Sequence, residues 1–298
     1  MPLRYRPARI EDLEQSDALV VASINELTER HAFGPMARTS PPLFQRFSLQ
    51  DDPDGLWIAE DSGEIVGFAF SWASDRLWFL AQLFVAPGQQ GRGIGNELMR
   101  RTLQHADRAE ARHRALITFA FNRVSQALYI RNGLFPRMPL YFVGGARDRL
   151  MAQFPVTQLR TVPIAKTQVH LRQLAAIDQS ALGATREKHH GYLLADGATK
   201  GMLLFEGQDC AGYAYIAGGH IGPLAAVRPD LLRTAFVTAL RLAAEDQPTV
   251  SAFVPGSCEE TLKFAIDSGM QITFPMLLMS DHVFGDWTRY LPRNPGFM

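Results

Sequence analysis

Leu83-Phe84-Val85-Ala86-Pro87-Gly88-Gln89-Gln90-Gly91-Arg92-Gly93-Ile94-Gly95-Asn96 decides how the first half of this chain folds. Its opening residues end an apolar run that starts at Leu77, which reads as a buried strand stopped by Pro87. A glycine-rich turn comes next, and Ile94, Leu98, Leu103 and Ala106 then mark one face of a helix. Glycines let backbone N–H groups converge on a ligand without Cβ obstruction. A helix start adds unpaired donors and the positive end of a dipole. A strand, a glycine turn and a helix N-terminus therefore read as a cradle for a pyrophosphate, with Arg92 placed to add charge at its rim. No Gly-Lys-Ser/Thr is present, so this is not a P-loop, and the glycines do not follow the G-x-G-x-x-G spacing.

Working outward, residues 3–6 alternate as a strand, and Ile10, Leu13, Leu19, Val20, Ile24 and Leu27 recur at helical spacing. Pro35, Pro41 and Pro42 break that pattern before a short helix around 43–47. Two apolar runs around Asp61-Ser62-Gly63-Glu64 predict a hairpin. Residues 115–121 form a further strand, Asn122 precedes a helix that stops at Gly133, and 140–143 form one more strand. The alternation predicts an α/β (α+β layered) fold.

The pattern repeats. Residues 56–71 and 203–216 both read strand, polar turn, strand, and Gly67-Phe68-Ala69-Phe70 aligns with Gly212-Tyr213-Ala214-Tyr215. A proline and an amphipathic helix come next in both halves, then a strand and a helix ending in glycine. Two tandem copies of one fold are expected, each a mixed central sheet flanked by helices. The expected division is 1–146, a linker at 147–165, and 166–298.

Length and composition suit this. The chain has 298 residues, nearly half apolar, with a formal net charge of zero. Neutrality offers no electrostatic pull toward nucleic acid or a membrane surface. No run reaches the length of a membrane span and no signal-peptide core opens the chain, so a soluble cytoplasmic protein is expected. Cys210 and Cys258 read as two buried thiols. The His189-His190 pair reads as solvated or substrate-facing rather than metal-binding, because adjacent helical residues point in different directions. Phe33, Met36, Trp57, Trp72 and Trp78 read as core or pocket lining, and residues 290–298 as a docked or frayed tail.

The glycine segment resembles the acyl-CoA signature of the GNAT N-acetyltransferase superfamily. Gln90-Gly91-Arg92-Gly93-Ile94-Gly95 follows its pattern of Gln or Arg, two residues, Gly, one residue, and Gly or Ala, after a family-like Val85-x-Pro87. A second match comes in the same order: Asn122, then Ala127-Leu128-Tyr129, then Gly133-Leu134-Phe135 with one residue inserted between Gly and Phe. The resemblance covers about residues 3–145.

It implies acetyl-CoA as cosubstrate, no metal, and an amine acceptor that is a small molecule or a peptide. The cosubstrate would lie where the strand ending at Val85 splays from that of 115–121. Main-chain groups of Leu83, Phe84 and Val85 would meet the pantetheine arm and polarise the thioester carbonyl. Gln90, Gly91, Arg92, Gly93, Ile94, Gly95 and Asn96 would hold the pyrophosphate. Tyr129 is the candidate general acid for the departing thiolate, against a purely packing role. Asn122 either contacts the cosubstrate or caps its helix. Many family members carry a carboxylate near position 82, but this chain has Gln82. Water, Glu26, Glu60, Asp75, His31 or an already neutral amine remain open as the route for the acceptor's proton.

The second half lacks the glycine loop, since Ile221-Gly222-Pro223-Leu224 leads directly to Pro229 and the next helix, and Ala265 stands at the Tyr129 position. It more loosely resembles the C-terminal domains of tandem acetyltransferases and reads as catalytically degenerate. A non-catalytic acyl-CoA-binding or sensing module is the competing function. A homodimer is compatible with all of these readings.

Overall fold

In the computed structural model, which describes residues 3–151 and 159–298, the chain forms two compact units. The first comprises Met1–Phe135 and Met279–His282, and the second Pro136–Leu278 and Val283–Met298.

The first unit runs β1 (Arg4–Pro7), α1 (Leu13–Arg30), α2 (Leu43–Asp51), β2 (Leu56–Asp61), β3 (Glu64–Ser74), β4 (Leu77–Val85), α3 (Ile94–Arg108), β5 (His113–Phe119) and α4 (Arg123–Arg131). Its strands lie in the order β1-β2-β3-β4-β5, antiparallel up to β4 and parallel between β4 and β5. Arg6 pins β1 by bridging Asp12 at 2.6 Å and Glu60 at 2.9 Å. Helix α1 packs on β3 and β4, and α3 on β2, β3 and β4. The α3 contact is close because Gly67 has no side chain. A Cβ there would stand 3.0 Å from both Ile94 Cγ2 and Leu98 Cδ1. Ile94 and Leu98 form one buried cluster with Ala59, Val66 and Ala69, which fixes the start of α3 against the sheet.

Two irregularities of β4 open this sheet. Its register against β3 slips between Phe70↔Gln82 and Ser71↔Leu80, leaving Ala81 as an extra, bulged residue. Its parallel pairing with β5 stops at Leu80↔Leu116, although β4 continues to Val85 and β5 to Phe119. A bulge bends its strand and raises the local twist. The bulge therefore turns residues 82–85 away from β5, and the two strands part.

The second unit contains β6 (Phe135–Ala146, all but its first residue), α5 (Arg147–Met151), β7 (Arg160–Pro163), α6 (Gln168–Leu182), α7 (Glu187–Leu193), β8 (Lys200–Glu206), β9 (Asp209–Ala217), β10 (His220–Ala226), α8 (Pro229–Asp246), β11 (Thr249–Pro255), α9 (Glu259–Asp267), most of β12 (Gln271–Ser280), and β13 (Tyr290–Leu291). Its strand order is β7-β8-β9-β10-β11-β6-β12, with β13 on β10. The repeat read from the sequence is visible in the hairpins: β2–β3 and β8–β9 each slip register at the same place, after Ala59 and after Leu204.

The division falls at Phe135–Pro136 rather than after residue 146. The strand expected at 140–143 is longer, and it pairs with β11 from Leu140↔Pro255 to Ala146↔Thr249. The last strand of the first repeat thus completes the sheet of the second unit. In return, residues 279–282 join the first unit, where the Asp281 N–H donates to the Arg114 carbonyl and the Arg114 N–H to the Asp281 carboxylate. Of the expected linker, 152–158 lie outside the described residues; α5 and β7 occupy much of the rest.

Of the other expectations, some hold and some need correction. His189 and His190 are buried rather than solvated or substrate-facing. His190 bonds the Asp178 carboxylate at 3.0 Å and the Tyr215 hydroxyl at 2.9 Å. Arg186 completes this buried group by bonding Asp178, Tyr213 and the Met298 carbonyl. The tail is docked, with Tyr290, Leu291, Phe297 and Met298 all buried. Cys258 is buried but Cys210 only partly so. Trp72 and Trp78 are core, while Phe33 is exposed. Among the described residues no helix is long and apolar enough to cross a membrane.

Replacing Gly67 with Ala should overpack the α3–β3 contact and lower the stability of the first unit by about 1–3 kcal/mol in chemical denaturation. An unchanged midpoint would show that Ile94 and Leu98 have room to retreat.

Candidate active site

Where β4 and β5 part, the glycine turn, the start of α3 and the start of α4 converge. Gly93 heads α3 with φ of 82°, and Gly91 has φ of 83°, a region that favours glycine. Nothing lies within 4 Å of a Cβ built on either, so both positions face open space. No side chain caps α3, and its first helical bond runs from the Glu97 N–H to the Gly93 carbonyl. The N–H groups of Ile94, Gly95 and Asn96 precede that ladder and are available to an anion. Gly95 lies among Leu83, Val85 and Leu128, each 3.7–3.8 Å from a Cβ built there. The turn, the unpaired end of β4 and α4 are thus neighbours.

Arg92 is exposed and directed at the Asp61 carboxylate, 2.8 Å away, and at Gln89. This guanidinium holds the Asp61 carboxyl below its ordinary pKa. Gln90 and Asn96 are exposed on the same turn, while Leu83, Phe84 and Val85 are half-buried on the unpaired stretch of β4. The Ser23 hydroxyl of α1 donates to the Val85 carbonyl at 3.4 Å.

On the opposite side, Asn122 caps α4. Its side-chain oxygen accepts from the Ser125 N–H at 3.2 Å and its amide donates to the Ser125 hydroxyl at 2.8 Å. The capping role is the one the geometry displays. Gln126 donates to the Ala120 carbonyl at 2.8 Å and so ties α4 to the end of β5. Tyr129 lies in the same helix, 6% exposed, with side-chain hydrogen bonds to Ser125 and to Thr118 on the part of β5 beyond its pairing with β4. Burial pushes the phenol up to about 12, and the two hydroxyl partners pull it down only in part.

Over the β5 end lies an aromatic stack. Phe33 and His31 each sit 4.8 Å from Phe121, and Phe119 is 5.0 Å from it. Asn25 holds the segment after α1 in place through the backbone of Met36 and Ala37. Gln82 accepts a 3.1 Å hydrogen bond from Gln45 of α2. The carboxylates raised as bases are engaged elsewhere: Glu60 with Arg6 and Glu26 with Arg30, while Asp75 sits at the β3–β4 turn with φ of 54°. Sequence reasoning does not single out Gln45, Thr118, Ser125 or Ser23, because none belongs to a spaced motif. A Ser71–His105–Asp52 chain, with links of 2.9 and 2.8 Å, also occurs. Ser71 is fully buried and bonds the Gly55 carbonyl, so this chain offers no accessible nucleophile.

The corresponding place in the second unit is built differently. β10 and β11 also part early, pairing only at His220↔Ser251 and Ile221↔Ala252. The gap holds β13, which pairs with β10 at Leu224↔Leu291 and Ala225↔Tyr290 and lies beside β11. Asp230 stands in the first turn of α8, and Glu259 and Glu260 in that of α9. These carboxylates already complement the helix dipoles and oppose an anionic ligand. His220 anchors the segment after β13 by bonding the Arg293 carbonyl through Nε2, with Nδ1 on the Ser251 hydroxyl.

The model of the acetyltransferase (GNAT) family matches residues 21–134. An uncharacterised N-acetyltransferase of Archaeoglobus fulgidus is 38% identical over 114 residues, 35% of this chain and 74% of that protein. An uncharacterised N-acetyltransferase of Bacillus subtilis is 32% identical over 96 residues, 30% of this chain and 64% of that protein. Along nearly the whole chain, the fold is similar to that of a Pyrococcus horikoshii protein assigned as an acetyltransferase. That match has a TM-score of 0.77 and 19% identity, and covers 99% of this chain and 96% of that one. A tandem GNAT protein from the clavulanic acid biosynthesis pathway matches with a TM-score of 0.63 and 15% identity, covering 94% and 98%.

Because burial favours the neutral phenol, Tyr129 should stay protonated past the usual value of ~10. An ultraviolet difference titration of the protein against Tyr129→Phe should show no phenolate signal from this residue below about pH 11. Burial also holds the His220 imidazole down at about 4. On unfolding it takes up a proton below ~6.5, so the second unit should lose stability as pH falls from there toward 4. Denaturation midpoints should fall across that range, and less steeply in His220→Asn.

Proposed function

Since this chain belongs to the acetyltransferase (GNAT) family, we propose that it moves an acetyl group from acetyl-CoA to a primary amine, with donor and acceptor held together in the first unit. The observation that carries this reading is the opening between β4 and β5 beside an uncapped helix start. Acetyl-CoA supplies the acetyl group as an activated thioester.

The residues fit that cosubstrate. The open, positive-φ turn at Gly91 and Gly93 leaves the N–H groups of Ile94, Gly95 and Asn96 clear for a pyrophosphate. Gln90 and Arg92 border the turn. The main-chain edge of Leu83, Phe84 and Val85 that β5 leaves uncovered suits the amides of an extended arm and can polarise a carbonyl. Asn122 supports this from a distance by capping α4 and so fixing Tyr129. Tyr129 keeps its proton at neutral pH, as a donor to a departing thiolate must. Holding both reactants in one cleft converts a bimolecular encounter into an oriented attack. The second unit, its gap taken by β13, is assigned a supporting role without cosubstrate of its own.

Calorimetry with acetyl-CoA, beside a Gly93→Glu, Gly95→Glu variant, tests this reading. One site per chain, lost in the variant, is expected; two sites would mean that the second unit also binds. Tyr129→Phe should retain binding and lower kcat by about 10²–10⁴-fold. Full binding with no thiol release for any amine would instead favour an acyl-CoA-sensing module, the reading that Gln82 favours.

A further inference from the structure

Gln82 is the polar side chain next to the bulge, at the point where β4 leaves β5. It is hydrogen-bonded to Gln45 of α2 at 3.1 Å, so two neutral amides face each other beside the opening. An amide oxygen accepts a hydrogen bond but does not take up a proton at physiological pH. Several carboxylates on the surrounding elements are engaged with other groups. On α1, Glu14 pairs with Arg46 of α2 at 2.9 Å and Glu26 with Arg30 at 3.1 Å, and Asp17 accepts from the Ser40 N–H at 3.1 Å. After α2, Asp52 bonds His105 at 2.8 Å. The segment between the helices carries Arg38 and His31, whose Nδ1 is on the Leu27 carbonyl. Glu29 is exposed, Asp51 lies on α2, and α4 adds Arg123 and the protonated Tyr129. The rings over the end of β5 are those of Phe33, Phe119 and Phe121.

We infer that this site takes its acceptor as the neutral form of a weakly basic amine, of the α-amino class, and discriminates against alkyl ε-amines. The inference rests on the acetyltransferase reading and deepens it. An ammonium entering here would lose water and meet the amides of Gln82 and Gln45 where a carboxylate would pair it, and ring faces offset that loss less than an anion does. The proton must therefore leave to solvent first. In the transfer itself, the amine lone pair forms the C–N bond and the thioester C–S bond breaks. The sulfur takes the Tyr129 proton, and the N–H proton shed by nitrogen replaces it on the phenol oxygen. That cycle closes without a separate base only if the nitrogen arrives uncharged.

The magnitude comes from ordinary ionisation. With amine pKa values of roughly 7.7–8.0 for an α-amine and 10.4 for an ε-amine, the neutral fractions at pH 7 differ by about 300-fold. Alanine amide and Nα-acetyl-lysine amide serve as probes. kcat/KM at pH 7 should favour the α-amine by two orders of magnitude or more, and the inflection of each pH profile should follow the pKa of the amine used. Calorimetric titration of alanine amide into the protein–CoA complex, in buffers of different ionisation enthalpy, should show protons released to the buffer on binding. Gln82→Glu should abolish most of that release and narrow the preference. Equal use of the two amines at pH 7 would overturn the inference and leave the acetyltransferase reading standing. An inflection shared by both amines would do the same and transfer the base role to a group of the protein. Acetyl-CoA binding without transfer to either amine at any pH would overturn both.

Discussion

The structure of the first unit depends on one irregularity in one strand. Ala81 is an extra residue in β4 relative to β3, and the parallel pairing with β5 ends at the residue before it, Leu80. A regular β4 would stay bonded to β5 and satisfy its own main-chain groups. With the bulge, the strand keeps its β3 partner to Val85 while its other edge faces the opening. The glycine turn and α3 continue from that strand end. The close Gly67 contact keeps α3 seated, so its free N–H groups face the same opening.

The two halves then use the same architecture differently. In the first, the opening is bordered by unpaired backbone, glycine turn and a buried phenol. In the second, it is filled by β13, and acidic residues occupy the helix starts where an anion would sit. Each unit also incorporates chain from the other repeat. β6 lies along β11, and residues 279–282 lie beside Arg114. A cut at the repeat boundary in the sequence would remove from the second unit the strand that covers the β11 edge, an edge left open to aggregation.

Much of this is legible in the residues themselves. The glycine spacing after Val85-x-Pro87 marks the strand, turn and helix, and the Gly67/Gly212 hairpins mark the tandem repeat, because period-2 apolar runs around polar turns are local signals. The bulge is not legible, since nothing in Leu80-Ala81-Gln82 marks which residue will lack a partner. The reassignment of β6 is equally hidden: its alternation predicts a strand but not which sheet receives it. His189 and His190 read as solvated because what they pack on is separated from them in sequence: Phe297 for His189, and Asp178, Tyr213 and Tyr215 for His190. Cys258 and Asn122 occupy matching caps, yet only Asn122 carries an oxygen that holds its helix start.

The β13 segment has a further consequence. A peptide joined to its own binding groove competes at an effective concentration that a flexible tether sets in the millimolar range, before any specific contact is counted. Here it is also held by the buried Arg186 and by His220. A free metabolite present at micromolar levels would have to displace a resident that never diffuses away. In the second unit the gap is filled by a segment of the same chain, and the contacts of that segment contribute to folding.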